Sequence, residues 1–315
     1  MPPLIVSPPP HLRSDVTIEK IMYAVIIALI PTTACGIYLF GVHAVYVIST
    51  CILVAVCTEY FALRLMGRQF VMDGSAIITG LLLALCLPPR IPLWIAGIGA
   101  FFAIAFAKCA FGGLGQNIFN PALSGRVFLV ISWPVAMTTW VRPLAYDAIT
   151  TATPLGLWKM EHLQTSYLNL ALGTVGGCIG ETSALAILIG GGYLIAKRYI
   201  DWRTPVSYIG TVGILMAILG EDMLFHILAG GLLLGAFFMA TDYVTIPITG
   251  EGRVLFGIGA GIIVVVIRLI GGYPEGVMFS ILLMNAFTPL IDRHVRPRVY
   301  GVPRDFSRLL RRGDT

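Results

Sequence analysis

Apolar residues gather in runs at roughly 21–40, 44–63, 74–89, 91–107, 117–136, 168–195, 205–220, 223–240, 254–271 and 275–291, divided by short polar intervals. A helix rises about 1.5 Å per residue, so a run of about 20 crosses a hydrocarbon core of roughly 30 Å. A spanning β-strand would instead alternate apolar and polar residues over about ten positions, and no stretch here does so. The pattern predicts an all-α polytopic membrane protein of about ten transmembrane helices. The sixth run is long enough to hold a break.

Composition agrees. Of the 315 residues, 57% are hydrophobic and 12% are charged, half the charge of a typical soluble domain, which is about 25%. The proline-rich start "MPPLIVSPPPHLRSDVTIEK" has no basic region followed directly by an apolar core and does not read as a cleavable signal peptide. The cysteines (Cys35, Cys51, Cys57, Cys86, Cys109 and Cys178) lie in or beside apolar runs, without a C-x-x-C pair. They read as small hydrophobes. An iron–sulfur cluster held by this chain alone would need four well-placed thiolates. The expected surroundings are membrane lipid, with no metal site and no nucleic-acid partner.

Lys and Arg set the orientation. With the N-terminus inside, inner segments collect Lys20, Arg64, Arg68, Lys108, Lys197, Arg198, Arg203, Arg253 and the arginines of the tail, while Arg90, Arg142, Lys159 and Arg268 fall outside. Both termini are therefore expected in the cytoplasm, with the interval 137–167 on the outer face.

Two segments recur in order: "TGLLLAL" at 79–85 as "GGLLLGA" at 230–236, and "GIGA" at 97–100 again at 257–260. Offsets of roughly 150–160 residues suggest two halves of about five helices. An odd number per half inverts the second relative to the first and puts binding sites at the repeat interface. The expected organisation is a cytoplasmic segment (1–20), a first helical repeat (21–136), an outer loop (137–167), a second helical repeat (168–291) and a basic cytoplasmic tail (292–315).

Several residues stand out inside the membrane. In "QNIFNPALSGR", Asn117, Asn120 and Pro121 break the fifth run close to its start. In "GTVGGCIGETS", glycines recur four apart, which suits either close helix packing or a flat ligand lying against bare backbone. Arg126 and Glu181 both fall roughly 15–20 Å deep when counted from the outer face, where an unpaired charge costs several kcal/mol. They are expected near each other, as a structural ion pair or as a gate. Glu59, Asp73, Asp242, Glu221 and Asp222 lie near run ends and read mostly as solvated caps.

The outer interval holds "DAITTATPL" at 147–155. It resembles the flavinylation motif Asp-x-x-Ser/Thr-Gly-Ala-Thr, in which the last threonine is esterified by the phosphate of FMN. Its place between the fifth and sixth runs, with "FNPA" before and "GETSALA" after, is similar to one family over essentially the whole chain. That family contains the D subunit of the Rnf electron-transport complex and the related B subunit of the sodium-pumping NADH:quinone reductase.

The resemblance implies covalent FMN on Thr153, with Asp147, Thr150 and Ala152 as motif positions. Thr151 stands where glycine is usual. A separate flavin transferase would make the bond, and a second, non-covalent flavin (riboflavin in relatives) would lie in the helical bundle. The other cofactor-binding candidates are Pro154, Arg268 as a partner for the FMN phosphate, Asn120, Glu181 and Thr182. The implied setting is a bacterial inner membrane, with the flavin loop in the periplasm. There the chain would be a redox subunit of an ion-translocating ferredoxin:NAD oxidoreductase, a translocase not catalytic alone. It would be joined by iron–sulfur and flavin subunits, since it has no dinucleotide-binding G-x-G-x-x-G of its own in a strand–helix context. The competing expectation is a channel or secondary transporter without a redox role.

Overall fold

The computed structural model describes residues 16–144 and 151–296. Asp147, Thr150 and the basic tail beyond Arg296 lie outside the described residues. All regular elements described are helical. Four apolar segments are long enough to cross a bilayer: Ile18–Phe40 (α1), Val42–Leu65 (α2), Leu93–Phe111, whose α-helical part is Leu93–Ala105 (α4), and Gly250–Leu269 (α13). Shorter apolar helices are Ser75–Leu85 (α3), Pro121–Ser132 (α5) and Ala184–Ala196 (α9). The others are Pro134–Thr138 (α6), Pro154–Glu161 (α7), Tyr167–Leu172 (α8), Arg203–Ile218 (α10), Met223–Leu228 (α11), Leu232–Leu234 (α12) and Val277–His294 (α14), with a π-helical turn at Gly235–Met239. Large apolar side chains such as Ile30, Leu53, Ile131, Ile214 and Ile218 point outward, each more than half exposed. Such a girdle has lipid as its natural solvent.

Small residues let the helices close. A Cβ added to Gly190 of α9 would lie 2.0 Å from the Ala28 carbonyl oxygen of α1, and one added to Gly125 of α5 would lie 2.8 Å from the Gly99 carbonyl oxygen of α4. Backbones that approach this closely pack without a side chain between them.

Besides the run 117–136, which divides at Trp133 between α5 and α6, three apolar runs do not form single spans, each for a local reason. The run 74–89 is helical only to Leu85, because Pro88 and Pro89 follow. The run 168–195 breaks at 173–183, which is buried from Gly176 to Ser183 yet has no helix. The run 223–240, a single span by its hydropathy, breaks at Ala229–Gly231, where Gly230 takes φ +74°. Backbone of this kind survives at membrane depth only when protein satisfies it. Ile179 N–H donates to Leu87 O (3.1 Å) and Gly180 N–H to Leu85 O (2.8 Å), so the buried segment closes the end of α3. On the other side, Asn120 caps α5 through Ala122 N–H and Leu123 N–H, while its Nδ2 donates to Met239 O (3.2 Å) at the end of the π-turn.

The loops gather at two ends. One joins residues 39–43, 88–92, 132–144, 151–167 and 267–276: Leu144 N–H meets Leu39 O (2.9 Å), His43 Nδ1 lies 2.8 Å from Pro89 O, and Lys159 reaches Tyr273 O (3.2 Å). The other end joins Glu59 to Lys108, Asp201 to Arg253, and Asp292 to Ile248 N–H.

Candidate functional site

Thr153 is the N-cap of α7, followed by Pro154 at the first helical position, a pairing that starts helices. Its Oγ accepts from Gly156 N–H (3.1 Å), and the residue is only 8% exposed. α7 is then docked in two ways. Leu155 and Trp158 are buried in a cluster with Leu170, Phe225 and Ala229. Lys159 donates to the carbonyls of Ile267 (3.5 Å), Gly271 and Tyr273 at the C-terminal end of α13, where the helix dipole favours a cation. Partial burial lowers the Lys159 pKa.

Beside Thr153 lies a cavity of ≈ 570 Å³, within the size range of small-molecule sites. Its walls include Val130, Met137, Trp140 and Met278, with Thr138, Thr139, Thr151 and Tyr273 adding polar groups. Arg126 and Glu275 line it too. Arg126 is 5% exposed; its Nη1 donates to Glu181 Oε1 (2.9 Å) and its Nη2 to Glu275 Oε2 (2.7 Å). Nη2 also lies 3.4 Å from Cys178 Sγ, while Nε has no partner. One guanidinium thus holds two carboxylates from different elements, which fixes α5, the buried segment 173–183 and the loop before α14 together.

The structure brings Thr153, Ala152, Pro154, Thr182, Glu181 and Arg126 into one region. Thr153, Pro154, Glu181 and Thr182 also line a smaller crevice with Gly176, Gly177, Gly230 and Glu275. Ala152 is exposed on the loop. Of the glycines four apart, Gly173, Gly176 and Gly180 face the chain's own atoms, since an added Cβ would lie 2.9 Å from Thr182 C, 2.4 Å from Thr151 Cγ2 and 2.6 Å from Leu85 Cβ. Close packing accounts for these three. Gly177 meets nothing nearer than 3.9 Å.

Two candidates line neither cavity beside Thr153, although Arg268 stands just behind Gly230 of the crevice. Asn120 lines a separate ≈ 90 Å³ cavity at the opposite end, with Lys108, Ser75 and Asp242. Arg268 is 1% exposed and donates to His226 O (2.5 Å) and Ala229 O (3.3 Å), the end of α11, and lines neither of the cavities beside Thr153. Its Nε is without a partner, as are both ring nitrogens of the fully buried His226, which stands edge-on to Trp158.

Sequence reasoning misses Glu275. It lies in "YPEG", which reads as an ordinary exposed turn, and no local signal marks it as the second partner of Arg126. Glu59, a solvated cap by its place at a run end, is instead 5% exposed. It pairs at 2.5 Å with Lys108, itself 2% exposed and bonded to Ser75 Oγ (2.6 Å).

Comparison with known proteins places the chain. Residues 5–301 match the model of the NQR2, RnfD, RnfE family. The D subunit of the proton-translocating ferredoxin:NAD(+) oxidoreductase complex of Clostridium ljungdahlii is 52% identical over 95% of this chain and 96% of its own length. The D subunit of the Na(+)-translocating ferredoxin:NAD(+) oxidoreductase complex of Acetobacterium woodii is 48% identical, over 95% and 96%. The D subunit of the ion-translocating oxidoreductase complex of Stutzerimonas stutzeri is 44% identical, over 90% and 92%. The chain belongs to the NQR2, RnfD, RnfE family.

Proposed function

We propose that this chain is the flavin-bearing electron-carrier subunit of an ion-translocating ferredoxin:NAD oxidoreductase, holding FMN through a phosphoester to Thr153. The observation that carries this reading is the position of Thr153, the last threonine of "DAITTATPL". It caps a docked helix at the wall of a cavity large enough for a tricyclic ring. A phosphodiester at that oxygen keeps one negative charge at the N-terminus of α7, where unpaired backbone N–H groups favour an anion. The apolar walls with few polar groups also suit a flat aromatic ligand.

When bound, the flavin supplies the redox chemistry. The chain's part is to anchor, orient and shield. Thr153 and Pro154 fix the tether, Trp158 and Lys159 hold α7 against α13, and the charged group around Arg126 sits at the cavity wall. A threonine hydroxyl is a poor nucleophile without an assisting base or metal, so a separate transferase is the agent. Asp147, Thr150 and Ala152 are its recognition positions.

The wider frame is ten membrane segments in two inverted five-helix repeats. Its support is that α2 packs on α3 and α4, and α4 on α5, while α10 packs on the π-turn and α13, and α13 on α14. The positive-inside bias puts the Thr153 end outside, in the periplasm, and both termini in the cytoplasm of a bacterial inner membrane. Iron–sulfur and flavin subunits complete the pathway, and a second, non-covalent flavin lies within the bundle. The secondary-transporter reading draws on the same paired half-helices and buried non-helical segment.

One experiment separates the two. The chain is produced with the transferase, denatured, resolved on a gel and viewed under ultraviolet light. A fluorescent band that vanishes in Thr153→Val, but persists in Thr150→Val and Thr151→Val, is expected. A dark wild-type band would overturn the carrier reading.

A further inference from the structure

We infer that the flavin ring is seated in the cavity between Thr153 and Arg126, and that Arg126, Glu181 and Glu275 together set its reduction potential. This rests on the covalent-flavin reading above.

Thr153 and Arg126 line the same cavity from different elements, the loop before α7 and the middle of α5. A ring tethered at Thr153 and lying in that cavity therefore meets a guanidinium that is only 5% exposed. A positive charge beside the ring favours the reduced, more electron-rich form, and water cannot screen it in a buried site. Two carboxylates temper it. Glu275 lines the cavity itself, whereas Glu181 approaches from the crevice behind Thr153. The two are bound to separate guanidinium nitrogens and also meet each other, so neutralising Glu275 still leaves the Arg126–Glu181 hydrogen bond in place. The unpartnered Nε shows that these partners do not exhaust the guanidinium's donors.

The other charged or titratable groups facing the triad are Cys178 and Cys86 behind Arg126, and Arg268 across Gly230. An added Cβ at Gly230 would lie 3.2 Å from Glu275 Oε1 and 3.7 Å from Arg268 Nη2. Arg268 is committed to the carbonyls of His226 and Ala229. It adds a fixed positive background that none of the substitutions below alters.

Removing the positive charge makes reduction harder, and removing a negative one makes it easier. The largest upward shift belongs to Glu275, which shares the cavity, and the smaller one to Glu181.

The test is a potentiometric titration of the covalent flavin in the full-length chain, purified in detergent after production with the transferase. In-gel fluorescence of the denatured band first establishes that flavin is attached, so a dark band defeats the underlying reading and not this inference. With flavin attached, Glu275→Gln is expected to raise the equilibrium constant for reduction about tenfold, a shift of about 59 mV for one electron. Arg126→Gln should lower that constant by a similar factor, and Arg126→Lys should restore it. If Arg126→Gln does not assemble, Glu275→Gln and Arg126→Lys still decide the matter. Unchanged potentials in Glu275→Gln and Glu181→Gln would put the ring elsewhere and overturn the inference. So would shifts of the same sign in Arg126→Gln and Glu275→Gln, because loosened packing has no reason to follow charge.

Discussion

The two ends of this molecule each bury a cation, and they treat it differently. At the end opposite Thr153, Lys108 meets one carboxylate, Glu59, at 2.5 Å, and donates to the Ser75 hydroxyl. At the Thr153 end, Arg126 is shared by Glu181 and Glu275 and opens onto a ≈ 570 Å³ cavity. The first ties α2 to the end of the α4 segment beside a cavity of only ≈ 90 Å³, whose wall also carries Asp242. The second joins two carboxylates to one arginine, with Arg268 behind Gly230, and stands next to room for a ligand. A buried pair is weak evidence for stability or for function. A buried charged group at the wall of a ligand-sized cavity is stronger evidence for function.

Substitutions can break that contrast. The largest effect is expected at the Glu59–Lys108 pair. Glu59→Ala leaves Lys108 buried without its carboxylate partner, at a cost of about 3–5 kcal/mol, whereas a Glu59→Leu, Lys108→Met double variant should recover most of it. Thermal stability in detergent reads both. A double variant no better than Glu59→Ala would mean that the pair has a task beyond packing, and the contrast would fail.

Next in size is the docking of α7. Thr153 is 8% exposed and its Oγ already accepts from Gly156 N–H. On the proposed flavin reading, a transferase reaches this oxygen only once α7 undocks. Trp158→Ala and Lys159→Gln should speed flavin attachment to the folded, unmodified chain several-fold, with Lys159→Arg close to wild type. Equal rates in all four proteins would show that Thr153 is reachable with α7 in place.

The smallest effect concerns Tyr167, whose hydroxyl donates to the Asp222 carboxylate and links α8 to α11. That hydrogen bond, helped by the Phe225 and Leu224 amides, holds the Asp222 pKa below its ordinary value. A depressed carboxylate contributes stability above its unfolded pKa, about 3.9, and loses it as pH falls through the folded value. Proteolysis of the segment 162–174 should thus rise on acidification below about pH 4, and Tyr167→Phe should raise it already at neutral pH and weaken its dependence on acid.

Much of this is legible from the chain, for reasons that can be named. "FNPA" carries its own cap, and Asn120 with Pro121 starts α5. Counting depth puts Arg126 and Glu181 at one level, and they meet at 2.9 Å. The length of the run 168–195 leaves room for the break that the fold contains. Other features carry no local signal. The partners of Arg268 are backbone carbonyls, which leave no trace in side-chain identity. Glu275 looks like a turn residue, because its burial depends on α5 arriving from 149 positions away. The break at Ala229–Gly231 is hidden among abundant glycines and leucines. Thr151, the irregular position of the motif, rests against Gly176 and bonds Trp140 O through its N–H (3.1 Å). Its methyl group fills space that glycine would leave open.

The most direct test of the central claim is mass spectrometry of the peptide spanning residues 143–159, from chain produced with and without the transferase. A mass increase equal to FMN less one water is expected, present only with the transferase and localised by fragmentation to Thr153. An unmodified peptide under both conditions, or the same addition on Thr150 or Thr151, would contradict it.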